Sequence, residues 1–189
     1  MIIKKIENKI INEVVNFLNK GGVIICPTDT VYGFLADATN KKAVAKIFKI
    51  KNRLRSKPLP VFIKDIKTAK DLVEINKEQE KNLKKNWPGK YTFILKIKKD
   101  VKLFGVDKKT IALRIPEYKF LNSLLKKINK PLVQTSANVS GQNAMFKISD
   151  IINQFSSKDI LIVDAGNLKK SKSSKIIDLT ESKIKILRK

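Results

Sequence analysis

Apolar residues recur along the chain with two different spacings. Apolar positions three and four residues apart predict a helix over residues 6–18, closed by Gly21, and further helices over residues 40–51, 118–128 and 148–155. Asn40 is placed to cap the second of these helices. Residues 68–86 are more polar and predict one or two helices that end before "WPG".

Short apolar or alternating runs between the helices predict strands. They lie at residues 23–26, 59–63, 92–97, 110–115, 131–135, 160–166, 175–179 and 183–187. Helices and strands therefore interleave throughout, without a repeat or a long linker, which predicts an α/β fold with a mixed sheet. A length of 189 residues, 42% of them hydrophobic, suits a single domain spanning residues 1–189.

The composition rules out several kinds of site. The chain has no histidine and one cysteine, so a Ser-His-Asp triad, the usual zinc sets and an internal disulfide are excluded. Cys26 lies inside an apolar strand and is expected to be a buried structural thiol. The longest apolar runs are strand-sized, and the N-terminus lacks the apolar stretch of a signal peptide. We therefore expect a cytoplasmic protein that does not contact a membrane.

The formal net charge of +24 leaves two interpretations open. A strongly basic surface is typical of proteins that bind polyanions such as nucleic acid. The excess is almost wholly lysine, however, in a chain also rich in isoleucine and asparagine, a bias that an AT-rich coding sequence produces by itself. The few arginines are more selective, because a guanidinium grips phosphate or carboxylate with two parallel hydrogen bonds. They are Arg53, Arg55, Arg114 and Arg188.

Four segments beside predicted strands are rich in hydroxyl, amide and cationic side chains. They are "PTDTVYG" (27–33), "KNRLRSKPLP" (51–60), "TSANVSG" (135–141) and "KSSKIIDL" (172–179). Loops at strand ends meet at one edge of an α/β sheet, and small residues let backbone amides approach an anion. The segments together predict a nucleotide pocket, although the sequence contains neither a P-loop nor a G-x-G-x-x-G turn. Without histidine, the chemistry that remains is positioning and charge neutralisation, which suits transfer at phosphorus with magnesium from solvent.

These segments, with "WPGKYTFIL" (87–95) and "RIP" (114–116), resemble in order and spacing the motifs of the YrdC/TsaC threonylcarbamoyl-AMP synthases. The match covers nearly the whole chain, and the chain resembles the short single-domain form of this family. The resemblance implies a YrdC-like fold, in which a twisted mixed sheet with flanking helices surrounds a basic concave cleft. It also implies a nucleotidyltransferase that joins L-threonine, bicarbonate or CO₂, and ATP into threonylcarbamoyl-AMP and pyrophosphate, with Mg²⁺ accompanying the ATP.

The resemblance also implies roles for individual residues. Catalytic charge neutralisation falls to Lys51, Arg53 and Lys57. The threonine substrate is expected to contact Thr28, Thr30, Tyr32, Arg114 and Ser174. ATP is expected to contact Arg53, Lys57, Thr110, Ser136, Asn138, Ser140 and Arg188. The resemblance assigns no protein side chain to a metal ion. Four positions depart from the residues usual in the family, namely Phe62, Lys90, Ala144 and Lys175.

The implied product has a defined use and must be protected from water. It donates the group that a separate transferase complex adds to the adenosine beside the tRNA anticodon. A free carbamate decomposes in water, so we expect the loop at residues 166–175 to close over the site, although its composition equally suits a solvated turn. Two other functions stay open: a basic module that binds tRNA or double-stranded RNA without catalysis, and a carbamoyl-handling domain of related fold.

Overall fold

The computed structural model describes residues 1–156, 159–181 and 183–188. Within these residues the strands are β1 (Ile2–Lys5), β2 (Ile24–Cys26), β3 (Gly33–Asp37), β4 (Val61–Phe62), β5 (Tyr91–Lys96), β6 (Thr110–Arg114), β7 (Leu132–Ser136), β8 (Leu161–Asp164), β9 (Lys175–Asp178) and β10 (Lys185–Arg188). The α-helices are α1 (Ile11–Asn19), α2 (Lys41–Ile50), α3 (Ile66–Leu72), α4 (Lys77–Asn86), α5 (Lys119–Ile128) and α6 (Ile148–Phe155). A short 3-10 turn, Asn8–Ile10, precedes α1. No helix among these residues is both long and apolar enough to cross a lipid bilayer.

The ten strands form one mixed sheet in the order β1-β8-β2-β3-β7-β4-β6-β5-β9-β10. The sheet contains both parallel pairs, such as β4 with β6 and β5 with β9, and antiparallel pairs, such as β3 with β7 and β5 with β6. The α/β fold with a mixed sheet is therefore confirmed. The four polar segments follow or precede β2, β7, β4 and β9, which stand third, fifth, sixth and ninth in this order.

Alternation along the strands divides the core between the two faces of the sheet. Ile24 and Cys26 of β2 pack with α1 and α5, whereas Ile25 between them packs with α2 and α6. Cys26 is fully buried, as expected, and burial raises the pKa of its thiol. Helix α5 contributes Leu124, which is also fully buried. Burying a leucine side chain stabilises a fold by about 1.5–3 kcal/mol, so these two layers fix the sheet from both sides.

Local sequence signals explain where several helices begin and end. The Asn40 side chain accepts a hydrogen bond from the Ala43 amide at 3.0 Å, which confirms the predicted cap of α2. Asn129 ends α5 in the left-handed conformation, with φ of 52°, a role that asparagine tolerates better than most residues. The polar stretch 68–86 contains most of α3 and all of α4, and α4 ends before "WPG" as predicted.

Two strands are absent from the sequence prediction, and one predicted helix start is wrong. Residues 2–5 form β1, and the Ile6 amide continues its pairing by donating to Asp164 O at 2.8 Å, so the helix begins only after Asn8–Ile10. β1 lies at the sheet edge with mostly exposed side chains, and therefore lacks a buried alternating face. β3 is buried on both faces, so it shows no alternation either.

Candidate functional site

The segment between β2 and β3 folds into a turn around one hydroxyl. Thr28 Oγ1 accepts from the amides of Thr30 and Val31, at 3.1 and 3.2 Å, and donates to Val31 O at 2.7 Å. Thr28 and Thr30 hydroxyls lie 2.9 Å apart. Gly33 then starts β3 so close to β7 that a Cβ atom there would lie 3.2 Å from Thr135 O. The turn buries Thr28 and sets Thr30 at the wall of a cavity.

This larger cavity has a volume of about 380 Å³ and brings together residues from distant parts of the chain. Seven of the predicted site residues line it, namely Thr30, Arg53, Thr110, Arg114, Ser136, Ser174 and Arg188. Its remaining wall is largely apolar and includes Leu59, Pro60, Val106, Ile111 and Ile176. The cavity therefore combines hydroxyl groups and cations with a surface that suits the flat face of a base.

A smaller cavity of about 190 Å³ adjoins the first. Six predicted site residues line it, namely Lys51, Arg53, Lys57, Ser136, Asn138 and Ser140. Arg53, Thr135 and Ser136 belong to the walls of both cavities, so the two form one cleft. Arg53 is held by the backbone of its own loop: its Nε donates to Lys57 O at 3.0 Å and its Nη2 donates to Pro58 O at 3.1 Å. The small cavity thus concentrates positive charge at one end of the cleft.

Arg114, at the end of β6, is a buried cation beside the larger cavity. Its Nη2 donates to Asp29 Oδ2 at 2.6 Å and its Nε donates to Gly89 O at 2.9 Å. Burial lowers the pKa of Arg114, and the adjacent Asp29 carboxylate opposes that shift. The guanidinium carbon also lies 5.7 Å from the ring of Phe62, which is fully buried in the core. Such contacts from several directions hold the guanidinium in one orientation.

Lys51, just after α2, is also buried. Its ammonium donates to Ser136 O at 2.5 Å, Asn138 O at 2.7 Å and Asn138 Oδ1 at 3.0 Å. Its own carbonyl accepts from the Ser140 amide at 2.9 Å. Burial lowers the pKa of Lys51 to about 8, with a smaller contribution from the charge of Arg53. Lys51 therefore holds the turn at 136–140 and places a cation behind it.

The start of β9 closes the other side of the larger cavity. Ser174 Oγ lies 2.9 Å from Thr92 Oγ1, while Arg188 donates to Ser174 O at 2.8 Å and to Ser174 Oγ at 3.0 Å. Burial lowers the pKa of Arg188. The positive charge of Arg188 also acts on Arg114 and further lowers its pKa, so two guanidinium groups influence the same cavity.

Two predicted threonine contacts lie behind the cavity wall. Thr28 supports the turn described above. The Tyr32 hydroxyl donates to Gly166 O at 2.7 Å and accepts from the Ala165 amide at 2.9 Å, and burial raises the pKa of Tyr32 to about 12. Neither residue lines either of these two cavities. Their physical roles here are to support Thr30 and to anchor the segment 166–174, since the hydroxyls are already engaged by protein groups.

The four departures from the family pattern line neither cavity. Phe62 backs Arg114, as described, and Ala144 lies outside both cavities. Lys90 donates to Ser171 Oγ at 2.9 Å, and the Lys175 ammonium lies 5.7 Å from the ring of Tyr91. Lys90 therefore contacts the segment 166–174, and Lys175 contacts Tyr91 at the start of β5.

Sequence reasoning missed Asp29 and most of the apolar wall. Asp29 lies inside the polar motif but is paired with a residue 85 positions away. Apolar positions such as Val106 carry no local sign of lining a cavity. Among the described residues, no group of three or more histidine, cysteine or acidic residues is arranged to hold a metal ion.

Known proteins resemble this chain in sequence and in fold. Residues 16–189 match the model of the Sua5/YciO/YrdC family, whose description is "Telomere recombination". A protein of Methanocaldococcus jannaschii is 36% identical over 176 residues, 91% of this chain and 83% of its own. The threonylcarbamoyl-AMP synthase of Pyrococcus abyssi is 32% identical over 182 residues, 94% of this chain and 53% of its own.

A solved structure supports the same relationship. The crystal structure of Pyrococcus abyssi Sua5 complexed with L-threonine matches with a TM-score of 0.87 at 30% identity, covering 99% of this chain and 56% of that chain. This chain thus spans about half the length of the Pyrococcus proteins that it matches. Because the family match extends over all but the first residues, the chain belongs to the Sua5/YciO/YrdC family.

Proposed function

We propose that this protein is a threonylcarbamoyl-AMP synthase, which converts L-threonine, bicarbonate or CO₂, and ATP into threonylcarbamoyl-AMP and pyrophosphate. The observation on which the proposal rests is the continuity of the cleft. A cavity with hydroxyl groups and Arg114 meets a cationic cavity through the shared wall of Arg53, Thr135 and Ser136. That arrangement suits an amino acid lying beside a nucleotide, and relatives bear this activity in their names.

The threonine end of the cleft is the larger cavity near Arg114. A guanidinium matches a carboxylate in planar geometry, so Arg114 would bind the carboxylate of the amino acid. Thr30 and Ser174 both line this cavity, and their hydroxyls would meet the threonine hydroxyl. A site that hydrogen-bonds a substrate hydroxyl rejects analogues lacking it, because its own polar groups would be left unpaired.

The nucleotide end combines the apolar wall with the cationic cavity. The apolar wall suits the adenine base, with Thr110 beside it, and Arg188 lines the same cavity. Arg53 and Lys57 would bind the phosphates, while the turn containing Ser136, Asn138 and Ser140 offers hydroxyl and backbone donors. Mg²⁺ would enter with ATP, held mainly by phosphate oxygens, and would offset part of their negative charge.

The chemical step needs no protein nucleophile. The threonine nitrogen adds to CO₂ and releases a proton to solvent, which gives a carbamate. One carbamate oxygen then bonds to the α-phosphorus of ATP, while the bond from that phosphorus to the bridging oxygen breaks and pyrophosphate leaves with the electron pair. Fixed cations at the small cavity, chiefly Lys51, Arg53 and Lys57, stabilise the charge that develops on the leaving group.

Protection of the carbamate from water falls to the segment 166–174. It is attached at one end through Gly166 to Tyr32 and at the other through Ser174 to Thr92 and Arg188. Ser173 and Ser174 line the larger cavity, so movement of the segment between these attachments would open or close the site. In the cytoplasm the product would pass to a transferase complex that modifies tRNA.

The direct test is synthesis of the adenylate. The protein is incubated with ATP, Mg²⁺, labelled bicarbonate and threonine, and both threonylcarbamoyl-AMP and pyrophosphate are measured. We expect product only when threonine is present. Arg53→Ala should abolish turnover, whereas Arg55→Ala, a matched change at an exposed arginine outside both cavities, should leave it unchanged. Absence of product together with intact binding of tRNA or double-stranded RNA would instead favour a basic binding module.

A further inference from the structure

Asp29 is a buried carboxylate to which none of the preceding roles is assigned. Its side chain is 6% exposed, and one of its oxygens, Oδ2, accepts both from Arg114 Nη2 at 2.6 Å and from the Glu117 amide at 3.2 Å. The other oxygen, Oδ1, is buried and lacks a hydrogen-bond partner among the described residues. Buried polar atoms are rarely left in this state, so the arrangement needs a physical reason.

The geometry of the ion pair suggests that reason. A free arginine and carboxylate usually pair through two parallel hydrogen bonds, which would use both carboxylate oxygens and one whole edge of the guanidinium. Here Asp29 contacts Arg114 through one oxygen, and Gly89 O takes the Nε proton. The protein hydrogen bonds of Arg114 thus use Nε and Nη2, which leaves Nη1 and part of Nη2 for a ligand in the cavity that Arg114 lines.

We propose that Asp29 is the positioning residue for Arg114: it fixes and neutralises the guanidinium through a single oxygen, so that the remaining N–H groups bind the carboxylate of the amino-acid substrate. This inference rests on the proposed function, because it assumes that an amino acid binds at Arg114. An isolated buried guanidinium would be costly. Because Gly89 O already takes the Nε proton, a carboxylate bound through both of its oxygens would have to occupy the Nη1–Nη2 edge, which the substrate needs. The one-oxygen contact meets both requirements at the expense of an unpaired Oδ1.

The first test compares two buried aspartates. Asp29→Asn keeps the shape and an acceptor but removes the charge. Asp37→Asn is the matched control, since Asp37 is equally buried and is paired with Lys130 at 2.9 Å, on β3 and outside both cavities. Threonine dissociation constants are measured by calorimetric titration, and KM and kcat by the adenylate assay. We expect Asp29→Asn to weaken threonine binding and raise the threonine KM by about tenfold or more, with the ATP KM and kcat within about threefold of wild type. Asp37→Asn should leave the threonine KM unchanged.

The second test separates positioning from simple support of the fold, because the Asp29 carboxylate also holds the Glu117 amide. In an Arg114→Gln background, Asp29→Asn should cause no further loss of threonine affinity if Asp29 acts through Arg114. An equal loss in both backgrounds, or tighter threonine binding by Asp29→Asn alone, would overturn the inference. The double variant also removes both charges of the pair, so it should fold even if Asp29→Asn does not.

The outcomes distinguish this inference from the proposed function. If the wild-type protein binds no threonine and makes no adenylate, the proposed function fails. If the wild type binds threonine and Asp29→Asn binds it equally well, only the role of Asp29 fails. Thermal unfolding of each variant, followed by circular dichroism, shows which of them are folded before their affinities are compared.

Discussion

Replacing Lys51 by methionine tests whether a buried cation supports nucleotide binding more than it supports the fold. Methionine keeps the apolar stem of the side chain and removes the ammonium group. Lys51 is 2% exposed, and burial lowers its pKa from 10.5 to about 8. That shift corresponds to a cost of roughly 3 kcal/mol for keeping the group charged at neutral pH, which the substitution would relieve.

The loss of hydrogen bonds opposes this relief. Asn138 Oδ1 would keep its bond from Ser136 Oγ at 2.6 Å, and Ser136 O would keep its bond from the Asn138 amide at 3.0 Å. Asn138 O depends on Lys51 alone among the hydrogen bonds of the described residues, and an unsatisfied carbonyl costs about 1–3 kcal/mol. The two effects nearly cancel, so the unfolding free energy should change by less than about 2 kcal/mol.

The effect on ATP should be much larger than the effect on the fold. The small cavity would lose its buried charge and the support of the turn at 136–140, so we expect ATP affinity to fall by at least about tenfold. Denaturant unfolding and calorimetric titration with ATP measure the two effects, and Lys49→Met, at an exposed position of α2, is the control. Retained ATP affinity, or a loss of stability above about 4 kcal/mol, would contradict this prediction.

Three further predictions follow from the same site. Arg53→Ala should abolish ATP turnover, whereas Arg114→Ala should mainly raise the threonine KM by at least about tenfold; steady-state kinetics in which both keep wild-type values would contradict the assignments. ATP affinity should fall as the pH rises through about 8, because Lys51 then loses its proton. The contribution of Lys51 to the free energy of unfolding should rise between about pH 8 and 10.5, because in that range the unfolded chain binds more protons than the folded chain. Titration and denaturation at several pH values measure both trends, which should be missing in Lys51→Met. Tyr32→Phe should destabilise the protein by about 1–3 kcal/mol and speed amide exchange after Gly166, because hydrogen bonds to two partly buried backbone groups are lost; unchanged exchange in mass spectrometry would show that Tyr32 does not anchor the segment.

Helices were the most predictable part of the fold because their signals are local. The cap at Asn40 lies within one turn of the helix that it begins, and α5 buries a regular stripe of leucines. The strands at residues 2–5 and 33–37 escaped prediction for opposite reasons. The first has little buried surface, and the second is buried throughout, so neither shows the alternation by which a half-buried strand is identified.

The site was predictable as a set of segments but not as a geometry. Hydroxyl-rich and cationic motifs marked Thr30, Arg53 and Ser136, which the structure brings to one cleft. The motif could not indicate that Tyr32 turns toward Gly166 and away from the cavity, because that depends on where the segment after β8 lies. The ion pair of Asp29 was hidden for the same reason, since its partner, Arg114, lies 85 positions away in the sequence and comes close only in the folded chain.

The wall shared by the two cavities also matters for inhibition. Arg53, Thr135 and Ser136 line both cavities, so an amino acid and a nucleotide bound there would lie next to each other. One molecule that joins the two through a non-hydrolysable linker would fill both compartments and lose its overall translational freedom only once. A bisubstrate mimic of this kind should therefore bind more tightly than either half. The two adjoining cavities are thus a practical starting point for inhibitor design.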